Sequence, residues 1–182
     1  MRRIAFTFIG KDRPGIIAGI TRVLYEAGCN IEDTTMTILE GQFAMILIAH
    51  VVNRDTETKM KKAFDGFKSK WGLNHYWNVL RGKMVRGEKH PPGSQTQIIS
   101  VAGKDRTGIV YETSRILARA GLNITDLNSK ILGQGKSAVF IMMLEVDAPR
   151  GFNFKRLEPE WKKLRKKIKM DIRVKSVEHL PL

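Results

Sequence analysis

Gly10-Lys11-Asp12-Arg13-Pro14-Gly15-Ile16 returns 93 residues later as Gly103-Lys104-Asp105-Arg106-Thr107-Gly108-Ile109. The register holds past this core, through Asn30-Ile31-Glu32-Asp33 against Asn123-Ile124-Thr125-Asp126. From Gly10 to Asp33, thirteen of twenty-four positions are identical, where about one or two would match by average residue usage. This is a duplication. A period this long lies well outside the roughly 20 to 50 residues of solenoids and propellers, so each copy is expected to be a complete small domain.

Outward from the repeated loop, each copy reads in the same order. Ile4 to Ile9 is a short apolar strand closed by Gly10. Pro14 stands where a helix begins, and Ile16, Ile20, Val23, Leu24 and Ala27 form one apolar stripe that Gly28 ends as a left-handed C′ residue. Ile31 to Leu39 and Phe43 to Val52 read as a hairpin around Glu40-Gly41-Gln42. A second helix, near Thr56 to Lys70, places Met60, Ala63, Phe64 and Phe67 on one face, and Leu73 to Arg81 is a last strand. The second copy repeats this with Gln97 to Ala102, Thr107 to Ala120, a hairpin of Ile124 to Leu132 and Ser137 to Val146, a helix beginning near Glu158-Pro159, and Asp171 to His179. Its turn, Gly133 to Lys136, reads as two residues longer, which aligns Met45 with Phe140 and His50 with Glu145. The predicted class is α+β: two ferredoxin-like βαββαβ modules, each an antiparallel sheet with both helices on one face. The modules span 1–82 and 95–182, and the Pro- and Gly-bearing stretch 83–94 is the linker.

Composition is that of an ordinary globular chain, 42% hydrophobic and 27% charged. The apolar run after Arg3 stops at Gly10, too short for a secretory h-region, and no stretch reads as a membrane span. One cysteine, Cys29, is matched by Leu122 in the other copy and reads as a core position, in keeping with a cytoplasmic setting. A net charge of +14 raises the question of a nucleic-acid partner. The densest basic stretch, Lys162 to Lys169, interleaves Trp161, Leu164 and Ile168 at helical spacing, which is the pattern of an amphipathic helix with a solvated basic face.

The repeated loop delivers a helix N-terminus, with unpaired N–H groups and partial positive charge that suit an anion. Gly15 and Gly108 lack a Cβ and would admit a ligand close to the backbone. Phosphate fits less well than carboxylate, because the Lys-Ser/Thr of a P-loop is replaced by Ile16-Ile17 and Ile109-Val110. Asn30 and Asn123 present amides that both donate and accept, as an amino acid requires. The same residues also have a purely structural reading: Asp12 as an N-cap, Pro14 as a helix starter, Asn30 as a turn residue.

The Gly-x-Asp-x-Pro-Gly-Ile loop, the apolar helix after it and the Asn-Ile that opens the second strand resemble the ACT domain, a small regulatory module of amino-acid metabolism. The resemblance covers nearly all of both copies, and the tandem layout resembles the glycine cleavage system transcriptional repressor group. It implies a small ligand, most often an amino acid, bound near this loop and the second strand, frequently between two ACT modules. The implied contacts are Asp12, Pro14, Gly15, Ile16, Asn30 and Ile31 in the first copy. In the second they are Asp105, Thr107, Gly108, Ile109, Asn123 and Ile124, where Thr107 departs from the proline.

Two other classes of function compete with this one. RNA-recognition domains share the βαββαβ order and stack bases on aromatics of the first and third strands. Phe6 and Phe8 fit faintly, but Ile99 and Val101 replace them in the second copy, so nucleic acid remains as an alternative partner held through phosphates. For an enzyme, His50, His75, His90 and His179 are far apart and fit no metal spacing, and no nucleophile-base set can be named. The expectation is a non-enzymatic protein without cofactor, sensing an amino acid and acting through homo-oligomer packing or a regulatory protein partner, in control of amino-acid metabolism or transcription.

Overall fold

Ile4, Phe6 and Phe8 alternate with less buried neighbours along β1 (Arg2–Lys11), the period-two pattern of a strand with one face on a core. The structure, a computed structural model, describes residues 2–81 and 89–176, except for the Lys136 side chain. The chain divides into two compact units, Met1–Gly87 and Glu88–Leu182.

In the first unit β1 is followed by α1 (Ile16–Glu26), β2 (Asn30–Leu39), β3 (Gln42–Val51), α2 (Arg54–Trp71) and β4 (Asn74–Leu80). The second gives β5 (Gln95–Lys104), α3 (Ile109–Arg119), β6 (Asn123–Leu132), β7 (Val139–Ala148), α4 (Glu158–Ile168) and β8 (Asp171–Ser176). The strand orders are β2-β3-β1-β4 and β6-β7-β5-β8, all neighbours antiparallel. Both units are thus ferredoxin-like βαββαβ modules, as the repeat predicts.

One core fills each unit. In the first, Phe6 and Phe8 meet Phe64 of α2 at centroid distances of 5.6 and 5.0 Å, with Ile20 and Leu24 of α1 in the same cluster. In the second, Trp161 and Leu164 of α4 take the places of Phe64 and Phe67. Each such side chain, once buried, contributes about 1.5–3 kcal/mol. The opposite face of the first sheet carries Ile46 and Tyr76, which flank Thr7 in the pairing and are exposed.

Three expectations are corrected. Both first helices start two residues later than Pro14 and Thr107, with Gly15 and Gly108 as N-caps, because only glycine enters the left-handed region there easily, at φ 92° and 96°. Asp12 is therefore not the N-cap; its backbone N–H donates to the Gly41 carbonyl at 2.8 Å, tying the loop to the hairpin turn. The second hairpin turn runs from Gly133 to Ala138 and contains a 3₁₀ turn, so it is four residues longer than Glu40-Gly41, not two. Gly10 pairs with Phe43 and Gly103 with Phe140, so the counterpart of His50 is Asp147 and not Glu145.

Of the expected linker 83–94, residues 83–88 lie outside the described residues. Lys89 and His90 are fastened to the second unit by ion pairs to Glu145 and Asp147. Residues 177–179 of the expected last strand also lie outside the described residues, as does His179. Cys29 packs against the core with Sγ 3.3 Å from Met60 Sδ, and burial raises its thiol pKa.

Candidate functional site

Most of the repeated loop has a structural task that can be named. A Cβ on Gly10 would stand 2.8 Å from the Gly72 carbonyl oxygen, and one on Gly103 would stand 2.7 Å from Met170 Cγ. These glycines let the first strand pass close under the turn that follows the second helix. Arg13 and Arg106 donate to the Trp71 and Lys167 carbonyls at 3.3 and 3.1 Å, covering the C-terminal ends of α2 and α4. Ile16 and Ile109 are 2% exposed and belong to the cores, so a ligand can meet only their backbone.

What remains open to solvent is a narrower set. Asp12, Pro14 and Gly15 are exposed, as are Asp105 and Thr107, while Gly108 is half-buried. Among the described residues nothing lies within 4 Å of a Cβ built on Gly15 or Gly108. No side chain among them caps either helix. The first N–H groups of α1 and α3 therefore face open space with the dipole's positive end behind them. The two modules differ here: α1 has no acidic residue in its first turn, whereas α3 has Glu112, held by Arg115 at 2.9 Å and Lys167 at 2.6 Å. Those two hydrogen bonds keep the Glu112 carboxyl below its ordinary pKa.

The loop and the asparagine are not neighbours within a module. Asn30 pairs with His50, and His50 with Arg3, at the start of β1; Lys11 at its end pairs with Gln42, whose other partner is Leu39. Along a strand of this length the two ends stand roughly 30 Å apart. Asn123, paired with Asp147, sits equally far from Lys104. Ile31 and Ile124 are partly buried against the cores beside these asparagines.

Each asparagine has polar company that sequence reasoning missed. Next to Asn30, Glu32 sits in a β-bulge with its side chain 7% exposed; it accepts from Arg3 at 2.8 Å and pairs with His50. Burial pushes its carboxyl pKa up, but the Arg3 hydrogen bond, the Arg3 charge and His50 together hold it below the ordinary value. Next to Asn123 the network differs. Asp147, 4% exposed, accepts from Thr96 at 2.8 Å and pairs with His90 at 2.8 Å, while Glu145 is held by Lys89 and Thr125. A hydrogen bond from Lys89 is the main cause of a lowered Glu145 pKa. No sequence signal marks these partners, which lie up to 57 residues apart.

Two cavities of the second unit reach Asn123. One of about 510 Å³ is lined by Tyr111, Arg115 and Ile124 among others, and one of about 610 Å³ by Pro91–Ser94 and Asp147–Arg150. Among the described residues no cluster of three or more His, Cys, Asp or Glu could hold a metal ion, and no helix is long and apolar enough to cross a membrane. Phe6 and Phe8 lie inside the core, so neither is available to stack a base. On α4, Trp161, Leu164 and Ile168 are buried while Lys162, Lys163, Lys166 and Lys167 are exposed, as the amphipathic pattern predicts.

Comparison with known proteins bears on the family and the fold. The ACT domain family description matches residues 2–75 and 95–175. A solved structure of an unknown protein from Galdieria sulphuraria superposes with a TM-score of 0.78 at 21% identity, covering 97% of this chain and 99% of the other. A protein provisionally described as a glycine cleavage system transcriptional repressor superposes with a TM-score of 0.69 at 17% identity, covering 98% of both chains. At these identities the likeness is one of fold. A UPF0237 protein of Methanopyrus kandleri is 47% identical over 55 residues, which are 30% of this chain and 61% of that protein. The alignment thus spans less than two thirds of that relative's length.

Proposed function

The chain belongs to the ACT domain family, and from that membership we propose that it is a non-catalytic regulatory protein that binds an amino acid and passes the event on through module packing. The observation that carries this reading is the open N-terminus of α1: left-handed Gly15, no side-chain cap among the described residues, and no carboxylate in the first turn. A ligand carboxylate is the natural occupant of such a position.

The second half of the site comes from topology. Within one module Asn30 stands at the far end of the sheet from the loop, too distant for one amino acid to reach both. β2 is an edge strand, and all but two of its residues are exposed. If the β2 strands of two copies pair antiparallel, Asn30 of one comes to the end where the loop of the other stands. Asp12, Pro14, Gly15 and the backbone of Ile16 then face Asn30 and Ile31 across the pairing. Asp105, Thr107, Gly108, Ile109, Asn123 and Ile124 are the corresponding set for β6. At the α3 N-terminus Glu112, paired with Arg115 and Lys167, already places a carboxylate in the first turn, whereas the first turn of α1 has none, so the first module offers the simpler carboxylate site.

A ligand that bridges such a pairing stabilises it by its differential affinity for the paired state, and a protein partner can read the change. The test is thermal unfolding of the full chain against the twenty L-amino acids, with sedimentation in parallel. At about 100 times Kd a ligand adds about 2.7 kcal/mol, a rise of roughly 5 to 10 °C. Loss of that rise in Asn30→Ala supports the reading. If no amino acid raises the midpoint or changes the association state, the reading is wrong. The nucleic-acid alternative rests on exposed basic residues such as the lysines of α2 and α4, and a salt-sensitive shift with an RNA oligonucleotide in the same assay would favour it.

A further inference from the structure

Pro91 to Ser94 form one wall of the cavity of about 610 Å³ in the second unit. Gly121 and Asn123, where α3 gives way to β6, form another, and Asp147 to Arg150, where β7 ends, close the third. The first wall is anchored. His90 pairs with Asp147 at 2.8 Å, Lys89 with Glu145 at 2.6 Å, and the Ser94 N–H donates to the Pro91 carbonyl at 3.0 Å. The volume falls within the roughly 300–1,000 Å³ of small-molecule sites.

The lining joins an apolar surface to two opposite charges. Pro91, Pro92 and Pro149 supply rigid apolar walls. Asp147 is 4% exposed; Oδ1 accepts from Thr96 and His90 and Oδ2 from His90 alone, which leaves Oδ2 able to accept once more. Arg150 is exposed at the mouth and makes no ion pair among the described residues. In the first module His50 stands where Asp147 does here, so the anionic half of this lining has no counterpart at that position.

We propose that this cavity is a second binding site, particular to the second module, for a small zwitterion with a compact apolar body: an apolar L-amino acid. The ligand's ammonium group donates to Asp147 Oδ2. Its carboxylate meets the Arg150 guanidinium and the Asn123 amide, and its side chain lies against the three prolines. The site shares Asn123 with the loop-and-edge set of β6 but none of Asp105, Thr107 and Gly108, and it needs no pairing of β6 with a second copy.

The test is a ¹⁵N NMR titration of the full chain with L-leucine, L-valine, L-methionine and L-phenylalanine, and with L-leucine methyl ester and 4-methylpentanoate, each lacking one charge. The expected result is saturable movement of the Gly93, Ser94, Gly121 and Ala148 amides by at least one amino acid. Losing one charge-assisted contact weakens binding about tenfold or more, so Arg150→Gln and each of the two charge-deleted compounds should bind at least that much more weakly. Arg150 is a surface residue, and an unchanged unfolding midpoint checks that the variant folds. Shifts confined to Asp12–Ile16 and Asn30 overturn this site and leave the loop-and-edge site standing. Unchanged affinity in Arg150→Gln, or no saturable shift with any of the six compounds, also overturns it.

Discussion

The Arg13 guanidinium donates to the carbonyl of Trp71, the last residue of α2, at 3.3 Å, and Arg106 repeats the contact at Lys167 of α4. A cation there satisfies an orphan carbonyl and opposes the negative end of the helix dipole. It also fastens the loop to the second helix, so the most basic residue of the repeated motif holds the frame rather than a ligand. Arg13→Ala and Arg106→Ala should each lower stability by about 0.5–1 kcal/mol, the net worth of one exposed hydrogen bond. Urea midpoints check this, with amino-acid affinity expected to stay within a factor of two or so.

The two glycines of the motif should respond differently to substitution. At Gly15 the constraint is φ 92° with open space around it, so Asn, which tolerates the left-handed region, should cost less than Ala. Ala there should cost about 1–2 kcal/mol. At Gly10 the constraint is the Gly72 carbonyl oxygen 2.8 Å from a Cβ, so the order follows size and Ala is the mildest change, at about 1–3 kcal/mol. Unfolding curves for Ala and Asn at both positions separate the cases: Asn better than Ala at Gly15, worse at Gly10.

The repeat made the architecture legible, because a 93-residue register with matched strand and helix patterns admits few arrangements other than two small α+β modules. Helix starts were less legible. Pro14 is a common first helical residue, and only the backbone angles of Gly15 reveal that the helix begins after it. In the second hairpin Ser137 and Ala138 run straight into the apolar strand residues Val139 and Phe140, and the 3₁₀ turn at Gly135–Ser137 leaves no periodicity by which to separate turn from strand. At the site, the distance of the loop from Asn30 follows from strand order, which composition does not carry. Glu32, Arg3 and His50 meet only because three strands lie side by side, so nothing local announces them.

Lys169 closes α4 in the left-handed region at φ 53°, where α2 ends on Gly72 at φ 64°. A side chain there carries a strain that glycine does not. Lys169→Gly should therefore stabilise the second module by about 0.5–1 kcal/mol, the relief being partly offset by the freer unfolded chain. Calorimetry should show a raised midpoint; a lowered one would mean that the Lys169 side chain makes a contact worth more than its strain.

His75 lies against the rings of Phe8 and Phe64, with Asp65 3.6 Å from Nε2. Burial lowers its pKa; Asp65 opposes the shift and Lys61 adds to it. With the folded pKa below the unfolded value of about 6.5, the unfolded chain takes up the proton first as pH falls. The histidine's contribution is then complete above that value and is lost as pH drops through the folded pKa. His75→Phe, which keeps a ring in the cluster, should flatten this acid-side decline in a stability–pH profile. An identical profile in the variant would show that His75 is not the titrating group.

Met36 stands near the middle of β2, 41% exposed on the side of the sheet that carries the helices. Beside it along the same edge, Ile38 and Leu39 are 51% and 70% exposed, and in β6 Leu127, Ile131 and Leu132 are 41%, 55% and 51% exposed. A long edge strand with free backbone groups and apolar side chains invites pairing, and an added charge is the usual means of preventing it. In an antiparallel β2 pairing, residues near the strand's centre lie close to their own copies, so Met36→Lys sets like charges against each other. The single module loses little, within about 0.5 kcal/mol, because the site is on the surface. Sedimentation should show the assembly shifted toward smaller species, and the thermal response to amino acid should disappear with it, since Asn30 no longer reaches a neighbouring loop. Retention of ligand response in a fully dissociated variant would separate binding from pairing, and would confine the amino acid to the residues of a single module.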